Sequence, residues 1–245
     1  MILPKIAVPE YECILPSNKK KVRFRPFLVK EQKLLLMASE SIEVKDVVDS
    51  IKQVVKNCLL DELDVDGLPV FDLEFLFLNL RARSVSEVVK VKYKCNNIIG
   101  QKEDGDDKRC ENIVDIEVNV LEIHPEFGEN HTNKIVLTDK LGIVFKYPTF
   151  EMIESMADKE ENDAIFNLIT KCVDYIYDDE SIYYSKDITE QEIIDFIDGL
   201  TQEHLEKIKE FFDTMPKVKK TVSFDCKKCG HHEDIEIEGV QNFFV

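Results

Sequence analysis

Cys226-Lys227-Lys228-Cys229-Gly230 sets two thiols three positions apart with a glycine behind them. Two intervening residues let both thiolates face one tetrahedral ion, and the glycine permits a tight turn whose backbone amides reach sulfur. One such pair is half of a structural site. Cys95 and Cys110 supply the other half if the strands that carry them pair, because pairing joins the two ends of Asn96 to Arg109. That segment contains Gly100, Gly105 and a run of charges, and reads as a loop grown at the tip of a zinc knuckle. The spacing therefore predicts one structural Zn2+ per chain, held by Cys95, Cys110, Cys226 and Cys229. Two separate sites, recruiting His231 or His232, are the alternative, since mixed His-Cys shells also hold zinc.

Four thiolates fill a tetrahedral shell and leave no position for water, so the predicted ion is not a Lewis acid. A redox role for the Cys226/Cys229 pair fits poorly, because redox pairs usually open a helix after a strand and this pair joins two strands. Cys58 and Cys172 fall on apolar helical faces and are assigned to the core, while Cys13 lies in a strand-like stretch with no evident partner. Seven cysteines, an odd count, favour thiols and ligands over a disulfide frame.

Other chemistry is hard to find. The chain has eight glycines and no phosphate-cradling loop, no Gly-x-Ser-x-Gly and no His-Glu-x-x-His. His204 sits on a predicted helix and reads as solvent-facing. No enzymatic activity is expected. The 245 residues carry 32 Lys+Arg against 49 Asp+Glu, a net charge of −17. That sign opposes nucleic-acid phosphates and anionic membranes. No apolar run approaches the roughly 18 residues of a membrane span, and Met1-Ile2-Leu3-Pro4-Lys5 opens no signal peptide. A soluble, cytosolic, acidic protein is expected.

The elements that must position the cysteines occur twice. Ile14-Leu15, a turn at Pro16-Ser17-Asn18 and Val22 to Phe27 return as Val136-Leu137, Thr138-Asp139 and Val144 to Phe150. The offset is 122, and the strand alternation fits slightly better at 121, so one residue is inserted near the proline. Ile51, Val54, Val55 and Cys58 share one helical stripe, and Ile165, Leu168, Ile169 and Cys172 repeat it. A second helical segment follows each: Asp72 to Leu78, and Thr189 to Ile194, which opens with a Thr189–Glu192 capping box. Strand alternation then leads to Cys95 through Val89, Val91 and Tyr93, and to Cys226 through Val222 and Phe224. Asp115-Ile116-Glu117 follows Cys110 at the spacing of Asp234-Ile235-Glu236 after Cys229.

The fold class is thus α+β, with tandem pseudo-duplicated halves at 1–121 and 134–245 joined by a connection at 122–133. Each half is a β-hairpin, a helical segment and a zinc-ribbon-like, cysteine-bearing hairpin; the first carries the inserted loop 96–109. Leu73 to Leu80 is apolar on more than one helical face, as a central core helix must be. The C-terminal Phe243, Phe244 and Val245 are assigned to partner binding, as a terminal apolar tail that docks a neighbour. Lys19-Lys20-Lys21 reads as a solvated turn.

Phe71 to Glu87 followed by Cys95 resembles the baseplate proteins of T-even-type contractile-tail bacteriophages. So does the late pattern Phe211 to Pro216, then Cys226 to Gly230, then Gly239 to Phe244. In that family a glycine is expected where Ser86 stands, and a short gap where this chain has Asn96 to Arg109. The resemblance implies a structural role as a baseplate hub subunit or hub-assembly protein, without catalysis. It implies other baseplate and hub proteins as partners, a homo-oligomer being one arrangement, and assembly in the host cytoplasm or residence in the virion tail. The rival from another class is an acidic zinc-ribbon adaptor or regulator acting through protein contacts, for example on transcription machinery. A zinc-dependent hydrolase is a third reading and needs an open coordination position.

Overall fold

The computed structural model describes residues 6–41, 43–102, 105–156 and 161–239. The first hairpin is β1 (Tyr11–Ile14) and β2 (Lys21–Phe24), followed by α1 (Val29–Ser39), α2 (Val44–Cys58) and α3 (Val70–Ser84). A cysteine hairpin comes next: β3 (Val88–Lys94) pairs antiparallel with β6 (Ile113–Asn119), and between them stand β4 (Ile98–Gln101) and β5 (Asp107–Arg109). After a 3-10 turn at Val120–Glu122 the chain forms β7 (Lys134–Val136), β8 (Gly142–Phe145), α4 (Phe150–Glu154) and α5 (Glu161–Cys172). It continues through β9 (Val173–Tyr177), β10 (Ile182–Tyr184), α6 (Glu190–Asp198) and α7 (Gln202–Asp213). It ends on a second cysteine hairpin, β11 (Lys219–Asp225) with β12 (His232–Glu238).

Local sequence accounts for most of these elements. The all-round apolar α3 buries Leu73, Phe75, Leu76, Phe77, Leu78 and Leu80, as a core helix must. Thr189 caps α6 by accepting from the Glu192 amide, while the Glu192 carboxylate accepts from the Thr189 amide at 2.7 Å. In β3 the buried Val89 alternates with exposed Val88 and Lys90, which faces one side of the hairpin to the core.

The described residues form two compact units. One is drawn from Met1–Leu63, Asp72–Glu126 and Lys217–Val245, the other from Asp64–Phe71 and Phe127–Pro216. The first therefore holds both cysteine hairpins. The second is built on an antiparallel sheet in the order β10-β9-β8-β7, with a core of Ile143, Phe145, Ile169, Val173, Ile208 and Phe211 among others.

The compact units cut across the expected sequence halves 1–121 and 134–245, since the C-terminal hairpin belongs to the first unit. The insertion 96–109 is not a bare loop: Ile98 pairs with Arg109 and Gln101 with Asp107. Alternation there is hidden because both strands are exposed along their whole length, so no buried face imprints a period of two. The pair β9–β10 was likewise not foreseen; it follows directly on α5, so the helical stripe ending at Cys172 masks the strand that starts at Val173. Phe243, Phe244 and Val245 lie outside the described residues.

Candidate metal centre

Each cysteine hairpin brings two thiols to its turn end. The β3–β6 ladder runs from Val88↔Asn119 to Lys94↔Ile113, and the β11–β12 ladder from Lys219↔Glu238 to Asp225↔His232. The residue after each last pair is a cysteine whose amide donates across the turn: Cys95 to the Asn112 carbonyl and Cys226 to the His231 carbonyl, both at 2.8 Å. Each cysteine carbonyl then accepts from the residue that closes the turn, Glu111 at 2.9 Å and Gly230 at 2.8 Å. Those closing residues have φ of 56° and 73°. Glycine takes that left-handed conformation without steric cost, whereas Glu111 takes it against its Cβ.

The two turn ends meet. Cys95 Sγ lies 3.8 Å from Cys229 Sγ, and Cys110 Sγ lies 3.7 Å from Cys226 Sγ. All four sulfurs fall within 4.8 Å of one another, and three of the four residues are buried. Sulfurs bonded to a tetrahedral zinc at about 2.3 Å stand about 3.8 Å apart, whereas a disulfide needs about 2.05 Å. The donor set therefore fits a four-coordinate soft metal. Four thiolates would complete its shell, so the chemistry it supplies is a cross-link between the hairpins.

Groups around the sulfurs support negative charge. Asn97 Nδ2 donates to Cys229 Sγ and Asn112 Nδ2 to Cys226 Sγ, each at 3.6 Å. Lys228 Nζ donates to the Cys110 carbonyl at 2.9 Å, which fixes a cation at the cluster. Burial opposes ionisation of Cys226, but the amides of Cys229 and Lys228, with protons shared from Cys229 and Cys110, bring its thiol down to about 6. At Cys95 the Asn97 amide pulls the other way, yet desolvation and protons shared with Cys226, Cys229 and Cys110 push it up to about 12. Without a metal the cluster thus favours one thiolate. A bound divalent ion must displace the remaining protons, as ligand thiols require.

The four cysteines singled out by spacing are the four that converge. His231 and His232 do not join them: His232 Nδ1 lies 2.9 Å from Asp225 Oδ1, and His231 Nε2 lies 3.6 Å from Glu233 Oε2. Cys13, Cys58 and Cys172 are buried elsewhere, and burial drives Cys13 and Cys58 up to about 11 and Cys172 to about 12. Spacing missed Asn97 and Asn112, although each stands two positions after a ligand-type cysteine. Nor did it find Tyr93 and Phe224, whose rings meet at 5.1 Å between the hairpins while the Tyr93 hydroxyl reaches Glu233 Oε1 at 3.2 Å.

The chain is thus a mixed α+β protein whose four convergent cysteines could hold a metal ion. The family model for the T4 bacteriophage base plate protein matches residues 8–245, and the chain belongs to that family. No curated protein and no solved structure matches it. Membership makes this a phage baseplate protein and points to a structural role in the virion tail with other baseplate proteins as partners. Among the described residues no helix is long and apolar enough to cross a membrane.

Proposed function

We propose that the protein is a non-enzymatic component of the baseplate hub, as hub subunit or hub-assembly factor, in which one structural zinc on Cys95, Cys110, Cys226 and Cys229 clamps two hairpins. The observation that carries the metal reading is the pair of 3.7 and 3.8 Å sulfur contacts, each linking a thiol of one hairpin to a thiol of the other. The mechanism is geometric: the ion fixes segments far apart in sequence, and the fixed surface docks neighbouring subunits, with Phe243, Phe244 and Val245 as one docking element. A surface of net charge −17 suits a basic partner and repels other copies before assembly.

We infer further that the halves arose by duplication. β3 and β11 coincide at one offset (219 − 88 = 131), β6 and β12 at another (232 − 113 = 119), and all seven ladder pairs then correspond. The bridge Phe24↔Leu59 has its counterpart in Phe145↔Val173. The Arg25 amide donates to the Cys58 carbonyl at 2.9 Å as the Lys146 amide does to Cys172 at 2.8 Å. In this reading the cysteine cluster lies on a pseudo-twofold axis, with one hairpin from each half.

Native mass spectrometry of protein purified without added metal tests the clamp. One zinc per chain, kept in the native protein and released on unfolding, is expected. Cys226→Ser and Cys229→Ser should each lose the ion, lower the melting temperature and abolish baseplate assembly in complementation. A soluble, fully functional double variant would sink the structural-zinc reading.

A further inference from the structure

In the second compact unit a groove of about 420 Å3 runs between α5 and α6, within the size range of binding pockets, roughly 300–1,000 Å3. Phe166 and the half-buried Ile194 give it an apolar lining over the buried Thr170 and Ile197, and the exposed Asp163 and Asp198 complete it. Phe166 is 45% exposed, an aromatic ring left at the surface of a helix. Beside it the Oδ1 of Asn167 is buried with no hydrogen-bond partner. No protein donor reaches this buried acceptor, so a donor supplied at the groove would be stabilised there.

The first half offers an internal comparison, and to that extent the inference rests on the duplication proposed above. At the offset that carries Cys58 to Cys172 (172 − 58 = 114), the positions of Asp163, Phe166, Asn167 and Thr170 on α5 correspond to Asp49, Lys52, Gln53 and Lys56 on α2. The first-half face holds one acid and two lysines. On α5 the acid remains, both cations are gone, and an aromatic ring stands where Lys52 stood. The face has exchanged its own cations for an apolar anchor site.

We propose that the α5–α6 groove docks a basic amphipathic helix of a neighbouring baseplate protein. An apolar side chain of that helix packs on Phe166 and Ile194, flanking lysines or arginines meet Asp163 and Asp198, and a polar donor displaces the cover over Asn167 Oδ1. Two antiparallel-like helical walls suit a helical guest that enters as an apolar face in a groove. The two carboxylates choose its charge and speed its capture.

Two synthetic helical peptides test the proposal with the full-length, metal-loaded chain: a leucine–lysine amphipathic helix and its leucine–glutamate counterpart. By NMR the leucine–lysine peptide should shift the Asn167 side-chain amide and the α5 and α6 backbone, saturably, and the leucine–glutamate peptide should not. Phe166→Ser should weaken binding about tenfold or more, as removal of an anchor residue does. Asp163→Asn with Asp198→Asn should reduce its salt dependence. Shifts spread over the acidic surface and indifferent to Phe166→Ser, or equal binding of both peptides, would overturn the groove. Self-association abolished by Phe166→Ser would assign it to a second copy instead. Metal content read on the same samples separates failure here from failure of the zinc clamp.

Discussion

Where a side chain's partners already spend their protons, its own protonation state follows. Thr214 donates its hydroxyl to the Glu210 carbonyl at 2.6 Å, so at 2.8 Å from His131 Nδ1 it must accept. Nδ1 therefore carries the proton, and Nε2 accepts from the Tyr147 hydroxyl at 3.0 Å. The ring also stacks on Tyr147 and Phe211, and burial lowers its pKa below the ordinary 6.5. The native state thus prefers neutral imidazole, so its contribution is present above about 6.5 and lost as pH falls, when the unfolded chain binds the proton first. The exposed His232, raised by its bond to Asp225, acts in the opposite sense. In a thermal-shift series from about pH 7.5 to 5.5, His131→Gln should remove part of the acid-side loss of stability. An unchanged slope would exclude His131 as its source. The same scale holds an ion pair that spacing did not disclose. Glu31 is fully buried, its carboxylate 3.1 Å from Arg25 Nη2 and 2.8 Å from the Leu28 amide. Arg25 also donates to the Asn57 carbonyl at 2.8 Å, which ties β2, α1 and the end of α2 together. Arg25→Ala leaves the buried Glu31 carboxylate with Lys30 Nζ at 3.3 Å and the Leu28 amide as partners, and should cost about 1–3 kcal/mol in denaturant unfolding. Joint replacement of both residues by apolar ones should cost less than that single change.

Elements were legible where one face is buried and obscure where none is. The stripe of α2, the capping box of α6 and the alternation of β3 and β11 all record a contrast between core and solvent, whereas in the α5 stripe Ile169 and Cys172 are buried, Leu168 is half-buried and Ile165 is exposed. Cys58 and Cys172 belong to those stripes and are buried as their positions imply. The exposed β4–β5 pair records no such contrast, and neither does the Arg25–Glu31 bond, since charge in a sequence does not announce its partner. The cluster of four thiols was legible because ligand spacing is local in Cys226/Cys229 and strand pairing supplies the rest. The asparagine amides aimed at sulfur depend on turn geometry that spacing alone does not fix. Sheet packing adds a tight point of its own. A Cβ on Gly142 in β8 would stand 2.7 Å from the Ile135 carbonyl oxygen and 2.3 Å from the Tyr177 hydroxyl. The tyrosine can swing away, but the neighbouring strand's backbone cannot. Gly142→Ala should therefore destabilise by about 1–3 kcal/mol through overpacking. Pairing it with Tyr177→Phe should recover only a fraction, because the backbone contact remains.

At the scale of the whole molecule, the proposed zinc would bear on the two compact units unequally. All four candidate ligands lie in the first, whose paired hairpins are separated in sequence by the second unit. Closing such a long loop is entropically costly, and a tetrahedral ion shared between hairpins would offset that cost in the folded state alone. The second unit carries its own core, where Phe145 and Phe211 stack at 5.2 Å beneath a four-stranded sheet. Chelation should therefore act on one unit. In hydrogen exchange, metal removal should strip protection from β3, β6, β11 and β12 while β7, β8, β9 and α7 keep theirs, and calorimetry should show one transition moving down and another staying. Thiol groups left protonated by chelation lose the charge that the Asn97 and Asn112 amides were placed to support, so readdition of zinc at neutral pH should restore protection in the same four strands. Uniform loss across both units would mean that the cluster governs the whole fold. No loss in either would mean that strand pairing and the Tyr93–Phe224 contact hold the hairpins without an ion.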